Sequence, residues 1–466
     1  VSFNMYVQHR SEFIRNNSML PIDFTKRMKE LLGEEYGKFE ASYSEDPVRS
    51  FRINTNKISK ENFEKINPFG GEKIPYAENG FYFSGDGIGN HPYHHAGMIY
   101  IQEPSAMAAV ESVDIQPDWN ILDLCASPGG KSTQAASQNP DGVLVSNEIV
   151  PSRCKTLTGN IERMGFQNVI TTCADAKRIA ALYNEAFDLV IVDAPCSGEG
   201  MFRKDENAQK EWSVENVLHC AERQREILDK IKTTVKPGGL LLYSTCTFSL
   251  EENEKNVDWF LNENDNFELI EVKDSVKKFT ADGIMFDGCN EKNISRCRRF
   301  YPHVAKGEGQ FIALMKKTDG IGIEEFPPSA LKDISKKEEK IIFDFLDETL
   351  ESYNKNAVKK YKDNYVYFDY DFPVPIGAFS CGVTIGSLQK NYIKPHHQFF
   401  SAMGKMFKQK IELTPEQAKK YIHGETVDCG FDKGWCAVTV NGCPIGGAKA
   451  VKKTAKNHYP KGLRTL

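Results

Sequence analysis

Asp123-Leu124-Cys125-Ala126-Ser127-Pro128-Gly129-Gly130-Lys131 joins an apolar run at 121–124 to a segment of helical character, Ser132 to Ser137. A glycine-rich turn from strand to helix lets a ligand approach the backbone closely, and the helix N-terminus attracts a negative group. Three ligands suit such a turn. A Walker phosphate loop needs G-x-x-x-x-G-K-[ST], but the position that should hold its first glycine is Cys125. The dinucleotide pattern G-x-G-x-x-G is absent as well. A methionine-derived cofactor remains, with its carboxylate near Lys131 and the amides of the turn.

Outward from this turn, strands and helices alternate. Apolar runs at 121–124, 143–145, 189–192 and 240–243 are separated by helical stretches that include 150–164 and 215–232. Wholly apolar strands alternating with helices predict a parallel sheet covered on both faces. Lys236-Pro237-Gly238-Gly239 is read as the turn that launches the last of these strands, and 306–316 as an antiparallel edge strand. Acidic residues stand at successive strand ends: Glu148 after the second, Asp175 after the third and Asp193 after the fourth. At the tip of strand two an acid can accept from ribose hydroxyls, and at strand three from an adenine amino group. One such Asp alone is more often a helix cap. The ordered set points to a crevice.

Two of the twelve cysteines also lie at strand tips, Cys196 in Pro195-Cys196-Ser197-Gly198-Glu199-Gly200 and Cys246 in Tyr243-Ser244-Thr245-Cys246-Thr247. A buried cysteine usually just packs, and that covers most of the others. No C-x-x-C pair occurs, and Cys429, Cys436 and Cys443, seven residues apart, fit strand packing better than zinc. No metal site is expected.

The whole chain sets wider bounds. Its 466 residues predict more than one domain. With 40% hydrophobic and 26% charged residues it has the composition of a globular protein. No apolar run of about 18 residues is found, so no membrane span is expected. The stretch from Val1 through Glu12 has no apolar segment of the secretory kind, so the thiols are read as reduced and cytoplasmic. The net charge of −5 argues against indiscriminate nucleic-acid binding. Residues 401–466, however, carry twelve Lys/Arg against five Asp/Glu, a basic tail able to attract phosphates.

The organisation expected is a region at 1–110, mostly helical with short strand-like pieces at Phe51–Asn54 and Gly80–Phe83. An α/β domain follows at 111–316, then a charged linker at 317–340. An α+β region at 341–395 and a glycine-rich basic unit at 396–466 complete the chain. Helical spacing of Phe24, Met28, Leu31 and Leu32 supports the first of these, and Glu103-Pro104-Ser105 opens another helix.

The stretches Cys125–Lys131, Asp193–Gly200 and Ser244–Thr247 closely resemble the Nop/Sun family of RNA cytosine-5 methyltransferases. Arg49–Asn54, Gln102–Ser105, Arg298–His303 and Gly307–Phe311 match as well. Together with Gly200–Lys204, the last two resemble the bacterial type F branch, which acts on 16S rRNA of the small ribosomal subunit. The resemblance implies a Rossmann-like class I methyltransferase sheet with a C-terminal PUA-like RNA-binding extension (396–466). It implies S-adenosylmethionine held by Cys125, Ala126, Ser127, Pro128, Gly129, Gly130, Lys131, Glu148, Arg153, Asp175 and Asp193, with Asp193 also near the target base. Ser127 departs from the alanine usual there. It further implies Cys246 as nucleophile and Cys196 as the residue aiding release.

Thiolate attack on cytosine C6 turns the ring into an enamine whose C5 can take a methyl group. The C5 proton and the thiol must afterwards leave. The rival assignment, by analogy with DNA cytosine-5 enzymes, makes Cys196 the nucleophile. The target base must be single-stranded or flipped. Arg203, Lys204, Arg299 and His303 are candidates for holding flanking RNA, with solvated surface charge as the alternative. A monomer is expected. Transfer RNA as substrate, or a non-catalytic ribosome-assembly factor on the same fold, are the competing readings.

Overall fold

The computed structural model describes residues 20–322 and 326–464. The N-terminal stretch read above as lacking a secretory segment lies outside the described residues.

Twelve strands form the N-terminal and central parts. In chain order they are β1 (Ser50–Ile53), β2 (Gly80–Tyr82), β3 (Ile99–Ile101), β4 (Ile121–Asp123), β5 (Leu144–Asn147) and β6 (Val169–Thr172). There follow β7 (Phe187–Asp193), β8 (Val235–Thr245), β9 (Phe267–Ile270), β10 (Ala281–Asp282), β11 (Arg298–Phe300) and β12 (Gln310–Lys317). The central sheet has ten strands in the order β10-β11-β12-β8-β7-β4-β5-β6, with Ser380–Cys381 beyond β6 and β9 paired to β12. Pairings β4–β5, β5–β6, β4–β7 and β7–β8 are parallel.

The alternation in sequence becomes two covered faces. Leu122, Val145, Ile170, Val190 and Val192 pack in one core, and their neighbours Ile121, Leu144, Val169, Leu189 and Ile191 in the other. All are nearly inaccessible, and each such side chain contributes about 1.5–3 kcal/mol. From β4 the chain builds outward through β5 and β6. It then crosses to the other side of β4 to lay down β7 and β8. The strand order therefore reverses between β4 and β7, which opens a crevice at their carboxyl ends.

Three expectations are corrected. Lys236–Gly239 is not a turn before β8 but lies inside it: the register jumps from Phe187↔Val235 to Leu189↔Leu240, a bulge with Gly238 at φ 78°. β12 is not an edge strand, because β8 flanks it on one side and β11 and β9 on the other. The N-terminal region is less helical than expected. β1 pairs antiparallel with both β2 and β3, and β3 was not foreseen. Such short strands depend on distant partners more than on their own periodicity.

The N-terminal helix Ile22–Leu32 does bury Phe24 and Met28. Within 317–340, Lys317 belongs to β12 and a helix starts at Lys336 behind a Ser335/Glu338 capping box. A four-stranded antiparallel sheet follows (358–361, 364–367, 383–388, 393–395). The C-terminal five-stranded sheet is built around the hairpin Lys433–Val440/Cys443–Val451. Its Val438 and Ile445 share one core with Phe51, Phe63 and Tyr93 of the N-terminal region. Cys436 and Cys443 are buried strand residues, while Cys429 is only partly covered and outside a strand. No helix among the described residues is long and apolar enough to cross a membrane. None of their side chains cluster as a metal site.

Candidate active site

The turn after β4 leads directly into the helix Gly130–Gln138. Gly129 sits at its N-terminus with φ 110°, a left-handed conformation that favours glycine. The N-terminal region grips this turn: Arg52, fully buried, donates to the Thr133 hydroxyl at 2.9 Å and to the Gly130 carbonyl at 3.3 Å. Beneath the turn, Asp123 Oδ2 accepts from Ser132 Oγ at 2.6 Å. Asp123 Oδ1 is buried with no partner among the described residues. Burial pushes this carboxyl group up to about 7.

The acidic strand ends line the crevice in different states of use. Glu148 is buried, with one oxygen accepting from the Val150 amide at 2.9 Å and the other 3.4 Å from Arg153. Arg153 donates to the Ser127 carbonyl at 3.2 Å, and Ser127 Oγ returns a bond to the Arg153 carbonyl at 3.0 Å. Ser127 thus braces the turn instead of blocking it. Asp175 caps the helix Ala176–Leu182, accepting from the Arg178 amide at 2.8 Å through Oδ1. Asp193 Oδ2 lies 2.8 Å from Lys131 Nζ, and Oδ1 accepts from Ser244 Oγ at 2.8 Å and Gln310 Nε2 at 3.3 Å. Burial works against the Lys131 charge, but Asp193 more than offsets it, and the ammonium is held above its ordinary value.

The loops after β7 and β8 bring Cys196 and Cys246 together, sulfur to sulfur at 3.2 Å. Gly200 N–H donates to the Cys246 carbonyl at 2.8 Å, and a Cβ at Gly200 would stand 2.9 Å from that oxygen, so the approach requires glycine. The hydrogen bond to the Cys246 sulfur, followed by burial, holds the Cys196 thiol well above its usual value. Cys125 is also raised by burial and stays a thiol. Cys125–Lys131, Glu148, Arg153 and Asp175 thus gather around the turn and strand tips, while Lys131, Asp193, Cys196 and Cys246 gather where β7 and β8 end.

Sequence reasoning missed Ser244, Gln310, Asp123 and Glu252 as members of the site. Glu252 lies in Glu251-Glu252-Asn253-Glu254, a stretch to which no role was attached. Glu252, Asn253 and Glu254 are in fact inaccessible. Gln310 stood in a quoted stretch with no role attached, and only the β12–β8 pairing carries it to Asp193.

Arg203, Arg299 and His303, offered as RNA contacts, are corrected, whereas Lys204 stays partly exposed. Arg203 is buried, bonded to Glu308 at 2.6 Å and to the carbonyls of Ser42 and Gly307. Lys204 lies 3.6 Å from the same carboxylate. Arg299 is buried in a bidentate pair with Glu254 and donates to the Phe248 carbonyl. His303 packs against Phe39 and Tyr301, and burial lowers its basicity. A cationic row exists elsewhere. On the C-terminal sheet Trp435 pairs with Lys449 and Lys449 with Lys456 in register, and Lys449 Nζ stands 5.2 Å from the Trp435 ring centre.

A family model for the 16S rRNA methyltransferase RsmB/F matches residues 110–316. One for the N-terminal domain of 16S rRNA methyltransferase RsmF matches 20–104, and one for the RsmF PUA domain matches 408–465. Relatives called ribosomal RNA small subunit methyltransferase F are 32% identical. The Shewanella oneidensis protein aligns over 91% of this chain and 93% of its own, and that of Vibrio vulnificus over 97% and 98%. Among solved structures, a methyltransferase homologue from Pyrococcus horikoshii is 30% identical with a TM-score of 0.55, covering 63% of this chain and 94% of its own. NSun6 from the same organism, solved with SFG, is 22% identical with a TM-score of 0.55. It covers 64% of this chain and 99% of its own, and shares the fold.

Proposed function

The chain belongs to the ribosomal RNA small subunit methyltransferase F family, and from that premise we propose that it methylates carbon 5 of a cytosine in 16S rRNA through a covalent bond between Cys246 and C6. The observation that carries the reading is the 3.2 Å approach of Cys196 and Cys246 beside the Lys131–Asp193 pair.

S-adenosylmethionine, when bound, supplies an electrophilic methyl group. The residues present fit it: the unpartnered Asp123 oxygen and the buried Glu148 carboxylate suit a ligand bearing an ammonium group and ribose hydroxyls. Cys125–Lys131, Glu148, Arg153, Asp175 and Asp193 would hold it. Asp175 has one oxygen committed to its helix, which leaves Oδ2 for an adenine amino group.

The flipped cytosine enters at the ends of β7 and β8, where Asp193 accepts from its amino group. Cys246, as thiolate, adds to C6 and makes C5 nucleophilic. Once the Cys246 sulfur is bonded to carbon, Cys196 no longer shares a hydrogen bond with a thiolate and yields its proton to water. After C5 is alkylated, Cys196 takes the C5 proton. The C–H electrons restore the C5=C6 bond, and the C6–S pair returns to Cys246. Both sulfurs are then back in their starting states, with one proton released per methyl group. Work on ribosomal RNA is expected in the cytoplasm, and the C-terminal unit, with Trp435, Lys449 and Lys456, docks RNA through phosphates.

The test is tritium transfer from labelled cofactor to RNA of a strain lacking the gene, followed by bisulfite sequencing. Label at a 16S cytosine supports the reading. Label in transfer RNA alone would reassign the substrate, and none in any RNA would leave a scaffold.

A further inference from the structure

The residues immediately after the two cysteines are themselves joined. Ser197 Oγ and Thr247 Oγ1 are 2.9 Å apart. Ser197 is also bonded twice to Glu252: its hydroxyl donates to Oε1 at 2.5 Å and its amide to Oε2 at 3.0 Å. Thr247 must therefore supply the proton between the hydroxyls, and a line of donation runs Thr247→Ser197→Glu252. Gln224 Nε2 adds a third donor to Glu252 at 2.8 Å and also reaches the carbonyl of Pro195, the residue before Cys196, at 3.1 Å. The Gln224 amide cannot turn around, because its oxygen accepts from Asn256 Nδ2 at 2.9 Å, and Asn256 is itself oriented by the Ala221 carbonyl and the Arg225 guanidinium.

An ionised Glu252 accepts all three of these bonds. Glu252 is inaccessible to solvent and has no cation within ion-pair distance among the described residues. A carboxylate buried without a cation destabilises a fold relative to a well-packed apolar group. Burial pushes this one up to about 7. Fold stability does not account for a group placed in this way.

We propose that Glu252 is a positioning residue for the cysteine pair: through Ser197 and Thr247 it sets how far apart the Cys196 and Cys246 sulfurs stand, and so governs release of the methylated base more than its capture. The bridge ties the loop after β7 to the loop after β8, and among the described residues no other side chain is bonded to Ser197. Cys246 reaches C6 from its own strand end and needs no help from Cys196 to attack. Proton removal from C5 needs Cys196 at a defined place beside the bond that Cys246 has made. Loosening the bridge therefore falls on the second stage.

The inference rests on the covalent reading above, and the experiment separates the two. Glu252→Gln, Glu252→Ala and Ser197→Ala are made in the full chain and compared with Cys196→Ala. Each is given 16S rRNA and S-adenosylmethionine, and the covalent RNA–protein adduct is quantified on denaturing gels beside tritium release from 5-tritiated cytosine. Release should slow by about tenfold to a hundredfold, the scale of a small misplacement of reacting groups. Adduct should accumulate, and KM for both substrates should stay within about twofold, as for a loss confined to a later step. The isosteric Gln variant, which puts an NH2 against donors, keeps the test readable if alanine unfolds the chain. Adduct with Cys196→Ala but wild-type release in Glu252→Gln would overturn this inference alone. No adduct with Cys196→Ala would overturn the covalent reading and this inference with it.

Discussion

The sulfur atoms of Cys196 and Cys246 stand 3.2 Å apart, although the residues are 50 positions apart in the chain. Parallel pairing of β7 with β8 puts Asp193 opposite Ser244, and each cysteine follows shortly after its strand's last paired residue. Neither thiol is placed by its own loop alone. Cys196→Ala should form the C6 bond and stall, leaving an RNA–protein adduct that survives denaturing electrophoresis. Cys246→Ala should give none. The opposite pattern would exchange the two roles.

Lys131 and Asp193 are expected to fail together. Lys131 is almost wholly covered, whereas the Asp193 side chain is about a third exposed, so their pair is only partly desolvated. Asp193→Ala strands the ammonium and should cost about 1–3 kcal/mol in urea denaturation. Methyl transfer should drop by about a hundredfold or more if, as proposed, Asp193 accepts from the target base. Full activity in Asp193→Ala would remove this residue from the site.

Asp123 bears on pH dependence. Its folded-state value, about 7, lies above the ordinary carboxylate range because burial disfavours the charge. The folded chain therefore holds this proton where the unfolded chain has released it. The group's contribution is fully present below about pH 4, diminishes as pH rises, and is lost once pH passes about 7. Glu162 and Glu252 are shifted the same way. The unliganded protein should thus melt lower at pH 8 than the rest of its charges would dictate. Asp123→Asn should flatten that decline, and an unchanged slope in a melting series from pH 5 to 8 would refute the assignment.

Arg203 separates a structural cation from an RNA contact. Arg203→Ala leaves Glu308 buried with the Val48 amide and the more distant Lys204, and should cost about 3–5 kcal/mol. The slope of RNA affinity against salt should not move in the folded fraction. A phosphate contact would instead lower that slope by about one unit.

Lys449 and Lys456 face each other across neighbouring strands, an arrangement that like charges make unfavourable. Replacing both with Ala should leave stability equal or slightly higher and reduce the salt slope of RNA binding by about 1–2 units. An unaltered slope would move the docking surface away from this sheet.

Some of this was readable from spacing alone. The runs at 121–124 and 189–192, the helix at 150–164 and the glycine turn between Cys125 and Lys131 all follow from residues close in the chain. So does the placing of acids and cysteines at strand tips. Arg203, Arg299 and His303 were not readable, because a cation looks the same in sequence whether it meets water or a buried glutamate. The strand Ile99–Ile101 was too short to show a period.

The sequence by itself determined which local structures form and which chemical groups their ends carry, since hydrophobic period and turn chemistry act over a few residues. Tertiary structure decided how far apart Cys196 and Cys246 stand, that Glu252 holds Ser197 beside them, and that Arg203 and Arg299 serve the fold. Those outcomes depend on which distant groups share a desolvated space. There a charge is stabilised only by partners that the register of β7, β8 and β12 brings to it.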